Sequence, residues 1–104
     1  MDKITEIEIN IVENLKTVYD PEIAINVYDL GLIYRIDVNS DYDVDVDMTL
    51  TAPNCPMADD IIKNVNDAIK NVENVRSVNI NLVFDPPWSK DMLSDEALLE
   101  LGLL

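Results

Sequence analysis

The sequence predicts an α+β fold, a single two-layer domain with a three-stranded mixed sheet covered by helices in the order α-β-β-α-β-α. Three observations predict it. Two segments repeat apolar residues at steps of three and four, and three others alternate apolar with polar residues. The stretch between the second and third strands is long enough for a parallel crossover. With 104 residues the chain can build one core but not two, so residues 1–104 are expected to form one domain.

Ile4, Ile7, Ile11, Leu15 and Val18 make one face of a first helix. Thr5 with Glu8 has capping-box spacing at its start, and Asp20-Pro21 stops it. Residues Pro21 to Gly31 lack a clear period and read as an ordered, partly buried loop. Leu32, Tyr34, Ile36 and Val38 alternate with Ile33, Arg35 and Asp37 as a first strand, and Asn39-Ser40-Asp41 is a turn. Val44, Val46, Met48 and Leu50 then alternate with Asp43, Asp45, Asp47 and Thr49. This is the clearest strand, and it forms an antiparallel hairpin with the first.

A second helix begins where Pro56 fits the first helical position and Cys55 or Asn54 can cap it. Its apolar face is Ile61, Val65, Ile69 and Val72, with Ile62 and Ala68 alongside. Val78, Ile80, Leu82 and Phe84 alternate with Ser77, Asn79 and Asn81 as the third strand, which ends at Asp85-Pro86-Pro87-Trp88. Ser94 is a good N-cap for a short closing helix, with Asp95 and Glu96 in its first turn and Gly102 at its end.

Composition narrows the function. Hydrophobic residues make up 48% of the chain, an ordinary globular value rather than that of a disordered tail. The formal charge is −14, with only seven scattered Lys and Arg. That argues against nucleic acid and against anionic membrane surfaces, and it favours partners with basic faces. No run approaches the ~20 apolar residues of a transmembrane helix. The start, Met1-Asp2-Lys3-Ile4-Thr5-Glu6, has no apolar secretory segment, and one cysteine offers no internal disulfide. The expected address is cytoplasmic.

The chain has no histidine, and Cys55 is its one cysteine. Cys-His and Ser-His catalysis both need an imidazole to take the nucleophile's proton. A zinc site needs three or four closely spaced ligands, which one thiol cannot close. Cys55, in Thr51-Ala52-Pro53-Asn54-Cys55-Pro56, stands where a helix N-terminus would stabilise a thiolate, while Asp59 and Asp60 push the other way. Two readings stay open, a soft metal ligand or a small buried hydrophobe. An iron–sulfur cluster usually takes four protein ligands. Any cluster held here is therefore shared with another chain, a partner or a small thiol.

The run Asp41, Asp43, Asp45, Asp47 fails as a calcium loop, because Met48 stands where the loop needs Gly and Asn54 where it needs Glu. It reads instead as a water-exposed sheet face, or one that docks a basic partner, with the carboxylates of Asp43, Asp45 and Asp47 expected to titrate near ordinary values. Asp20-Pro21-Glu22, Asp29-Leu30-Gly31 and Asp85-Pro86-Pro87-Trp88 each admit a structural account as helix stop, turn and strand stop. Why three such loops accompany a cysteine turn is left unexplained by that account.

Taken together, Asp20-Pro21-Glu22-Ile23 and Asn26-Val27-Tyr28-Asp29-Leu30-Gly31-Leu32-Ile33-Tyr34 resemble the opening signature of the SufT/PaaD-like metal-sulfur cluster biosynthetic family (DUF59). Met48-Thr49-Leu50-Thr51 with Cys55-Pro56-Met57 is similar to its cysteine turn. Val83-Phe84-Asp85-Pro86-Pro87-Trp88 and Met92-Leu93-Ser94-Asp95-Glu96-Ala97 are similar to its C-terminal signature. The resemblance spans about Val18 to Gly102. It implies a non-catalytic accessory factor in iron–sulfur cluster assembly, with Cys55 as the cluster or metal ligand. Asp20, Glu22, Asp29, Thr51 and Trp88 are carried over as pocket or surface features near that cysteine. Implied partners are apo iron–sulfur proteins and the assembly machinery, with no tightly bound cofactor, a transient cluster shared between chains, and a homodimer as one way to share it. Two departures stand out. PaaD-like members carry a cysteine-rich C-terminal extension that is not found here, and Leu98-Leu99 follow Ala97 where a basic residue is common. The alternatives are an interaction subunit of a multi-component, PaaD-type oxygenase complex with a structural Cys55, and a small redox sensor. The missing extension weighs against the first, and the lack of a resolving cysteine against the second.

Overall fold

The computed structural model describes residues 2–20, 23–51 and 58–102. Its elements follow the expected order: α1 (Lys3–Leu15), β1 (Ile33–Val38), β2 (Asp43–Met48), α2 (Ala58–Lys70), β3 (Ser77–Leu82) and α3 (Asp95–Glu100). A short 3-10 turn at Lys90–Met92, which no periodicity announced, precedes α3. The sheet order is β1-β2-β3, with β1 antiparallel and β3 parallel to the central β2. The mixed sheet expected from the crossover length is the one found.

β2 is central because it alternates most strictly. Val44, Val46 and Met48 are buried on one face, while Asp43, Asp45 and Asp47 stand on the other. Ile7, Ile11 and Leu15 of α1 join Ile61, Val65 and Ile69 of α2 in one core with these strand residues. Each such side chain contributes roughly 1.5–3 kcal/mol on burial, an upper figure since denatured chains already bury some surface. The Asn14 amide donates to the Ala68 carbonyl at 2.9 Å and ties the two helices together.

Two local expectations are corrected. The N-cap of α1 is Asp2, not Thr5: its carboxylate accepts from the Thr5 N–H at 2.8 Å and from the Thr5 hydroxyl at 3.1 Å. A charged acceptor at a helix N-terminus outcompetes a hydroxyl, and the bond from Thr5 holds the Asp2 carboxyl below its ordinary range. The helix also ends at Leu15, ahead of Asp20-Pro21, and Val18 is buried from the following turn instead.

In β1 the alternation slips. Ile33 pairs with Met48 and Arg35 with Asp47, so Tyr34 is an extra residue in the ladder. This bulge puts Ile33 against the core in the place expected for Tyr34, and Leu32 precedes the strand as a buried loop residue. The Tyr34 hydroxyl donates instead to the Pro86 carbonyl at 2.7 Å.

Candidate functional site

Ile33, Met48 and Leu82 are register partners across the sheet. Leu32, Thr49 to Thr51, and Val83 to Phe84 therefore leave the sheet at one end. At that end the chain before β1 folds into a loop closed by a bridge between Tyr19 and Asn26. Asp20 is 2% exposed and organises it: its N–H donates to the Ile25 carbonyl at 3.0 Å, and its carboxylate accepts from the Ile23 N–H at 3.2 Å. Ala24 is held at φ 63, a left-handed conformation that this turn imposes on a residue with a Cβ.

Asn26 and Asp29 form a second buried unit. The Asn26 amide donates to the Asp29 carboxylate, and the Asp29 N–H donates back to the Asn26 side-chain oxygen, both at 2.8 Å. The C-terminal segment clasps this loop. Trp88 Nε1–H donates to the Leu30 carbonyl at 2.6 Å, and the Ser94 N–H to the Asp29 carbonyl at 2.9 Å. Ser94 also caps α3 as expected, accepting from the Ala97 N–H at 3.1 Å. Gly31, at φ +79, is where the two segments meet, since a Cβ there would sit 2.9 Å from Met92 Cβ and collide with the Met92 carbonyl oxygen. The Asp85-Pro86 peptide in the crossing segment is cis.

Between loop and clasp lies a cavity of about 350 Å3, lined by Ile23, Leu30, Trp88, Lys90, Leu93 and Leu101. It is apolar apart from Lys90 and the indole, the chemistry of a pocket for a side chain or a short apolar segment.

The structure therefore gathers Asp20, Asp29 and Trp88 around one loop and its clasp. Thr51 is half-buried at a bend just beyond β2, at the same end of the sheet. Cys55, with the helix cap expected at Asn54 to Pro56, and Glu22 lie outside the described residues. Among the described residues no cluster of three or more acidic or thiol side chains could hold a metal ion. Sequence reasoning missed Asn26 as the partner of Asp29, though its spacing of three is that of a side-chain cap. It also missed Thr49, whose buried hydroxyl has no hydrogen-bond partner among the described residues.

The acidic strand face is a different arrangement from the one expected. Arg35 reaches across from β1, donating to Asp47 at 3.0 Å and also to Asp45. Asn79 and Asn81 of β3 donate to Asp45 at 2.7 and 3.0 Å. Arg76 and Ser77 bind Asp43 at 2.6 and 2.7 Å. Hydrogen bonds from Arg76 hold the Asp43 carboxyl well below the usual range, and those from Arg35 lower Asp45 and Asp47. The expectation of ordinary titration is overturned, because basic and amide groups on the flanking strands stand opposite each carboxylate.

A small α+β scaffold with a three-stranded mixed sheet and a clasped loop at one end defines the class of module. The family model for "Iron-sulfur cluster assembly protein" matches residues 8–82. The chain belongs to that family. It is 56% identical over 103 residues to an Fe-S protein maturation auxiliary factor of Porphyromonas gingivalis, covering 99% of this chain and 98% of that one. It is 40% identical over 86 residues to the Fe-S protein maturation auxiliary factor SufT of Staphylococcus aureus, covering 83% and 98%. The crystal structure of a DUF59 domain from Bacillus anthracis superposes with a TM-score of 0.88 at 34% identity, over 96% of this chain and 95% of that chain.

Proposed function

We propose that this chain is a non-catalytic accessory factor in the maturation of iron–sulfur proteins, with Cys55 as a single thiolate ligand to a cluster in transit. The observation that carries the reading is the near full-length identity of 56% to a protein named as an Fe-S maturation auxiliary factor. The residue chemistry agrees with it. With no histidine, the chain lacks the general base most used for nucleophilic catalysis, and its one thiol is soft and suited to iron. Four ligands are the usual requirement of a cluster, so the cluster is cargo completed by a second chain, an apo iron–sulfur protein or the assembly machinery. The apolar cavity beside Trp88 lies at the same end of the sheet as Thr51, from which the cysteine link departs. The reading assigns that cavity to an apolar segment of the client.

Cys55→Ala tests the reading. As a ligand at a capping turn, its loss costs about 1 kcal/mol or less in stability, yet iron–sulfur maturation of client enzymes fails in a host lacking the wild-type copy. As a packed hydrophobe it would lower stability by ~1–2 kcal/mol while any folded copy restored the clients. A stable variant that complements fully ends the ligand assignment.

A further inference from the structure

Among the described residues, the outer edge of β3 is an uncharged strip on an acidic chain. From Ser77 to Phe84 eight consecutive residues carry no charge, in a protein with a net charge of −14. The opposite edge strand, β1, is protected in the usual ways: it carries Arg35 and Asp37 and is bulged at Tyr34. β3 has no such device until Asp85-Pro86 ends it. The Val83 N–H donates to the Met48 carbonyl at 2.8 Å. Alternate residues bond to the neighbour in a parallel ladder, so the backbone groups of Val78, Ile80 and Leu82 point off the sheet. None of the turn, loop or cap backbone bonds among the described residues reaches them. The segment after β3 turns away from this edge, toward Tyr34 and Leu30.

The core face also runs out here. Val78 and Ile80 are half-buried, whereas Leu82 and Phe84 are 40% and 42% exposed. α2 packs against β3, and the exposed apolar positions are confined to Leu82 and Phe84 at the end of the strand.

We infer that the β3 edge is the site at which a second copy of this chain adds antiparallel, joining two three-stranded sheets into one of six. Charge decides for a second copy. Two chains of −14 repel wherever their charged surfaces meet, and this edge is an uncharged strip on which they can approach. A basic partner would instead be drawn to the acidic surface around it. The strand is self-complementary as well. A two-fold axis at Asn81 sets Ile80 opposite Leu82 of the second copy and Val78 opposite Phe84 of the second copy, all on the apolar face. The outward-pointing backbone groups then meet as hydrogen-bonded pairs. Two short strands bury less than a standard interface, so the association is weak and concentration-dependent. The inference stands on the edge alone and does not need Cys55.

Sedimentation of the wild-type chain up to the millimolar range tests it, with the double variant Leu82→Lys, Phe84→Lys beside it. A monomer–dimer equilibrium is expected, tightening as salt screens the like charges. The double variant should weaken it by about ten-fold or more. Ile9→Lys, on the outer face of α1, should leave the dimer intact. Should the double variant fail to fold, wild-type hydrogen exchange decides: the Ile80 and Leu82 amides slow with rising protein concentration. A monomer at every concentration, amides indifferent to concentration, or a dimer lost in Ile9→Lys but not in a folded edge variant each overturn the inference.

Discussion

Two regions of this molecule hold carboxylates, and they hold them in opposite ways. On the polar face of the sheet Asp43, Asp45 and Asp47 remain partly in water and are matched by Arg35, Arg76, Asn79 and Asn81. At the loop end Asp20 and Asp29 are buried, Asp20 accepting from the Ile23 N–H and Asp29 from the Asn26 side-chain amide. The strand face has the sequence of a site, three acids at alternate positions, and is a cross-strand ladder. The loop end has the sequence of a helix stop and a turn, and it is where loop, clasp and cavity converge. A dense acidic pattern on a strand can be neutralised by the strands beside it. A buried acid in a loop is satisfied by groups a few residues away in the same loop, and so it shapes that loop.

Four measurements can break or sharpen this contrast. The largest effect is expected from Gly31→Ala, which combines a left-handed backbone with a collision against Met92. It should lower unfolding free energy by about 3 kcal/mol in urea titration. A loss under ~1 kcal/mol would mean the clasp shifts freely and does not define the loop. Next comes Asp29→Ala, which strands the Asn26 amide in a site 8% exposed. A cost of about 2 kcal/mol is expected, and a neutral outcome would remove Asp29 from the organising set.

Thr49→Val should act in the other direction. It removes a buried hydroxyl without a described partner and keeps the shape, so a gain of about 1 kcal/mol is expected. A loss instead would reveal that the hydroxyl is bonded within the cysteine link. The smallest effect belongs to the acidic ladder. The folded carboxyls of Asp43, Asp45 and Asp47 titrate below the ordinary 3.8, so their stabilisation is complete above that value. As pH falls below it the unfolded chain takes up protons first, and stability declines toward the lower folded values. The melting temperature should be level with respect to this ladder between about pH 5 and 7. It should then fall less steeply on acidification in Arg35→Met than in the wild type. An unchanged acid limb would show that the ladder is ornamental.

The sheet and its two long helices were legible because each has one apolar face with a clean period. Val44, Val46 and Met48 announce β2, and Ile61, Val65 and Ile69 announce α2. The errors fell where a local rule met a stronger competitor. Asp2 took the cap that spacing assigned to Thr5, and the bulge at Tyr34 shifted a face that simple alternation would have kept. Arg35 could have warned against reading the acidic strand as open, since it sits mid-strand on the same polar face. The clasp was not legible. Trp88 and Leu30 are 58 residues apart in sequence, and nothing periodic joins them. Only the ordered set of loop motifs, taken as a family resemblance, pointed to that end of the molecule.

The clasp has a consequence for the order in which the molecule is completed. Its bonds, from Trp88 to Leu30, from Ser94 to Asp29 and from Tyr34 to Pro86, are all long in contact order. The β1–β2 hairpin and the α2 crossover close over far shorter spans. Loop-closure entropy delays contacts of this kind, and synthesis from the N-terminus delays them further. The clasped end of the sheet is therefore expected to take its shape after the β1–β2 hairpin.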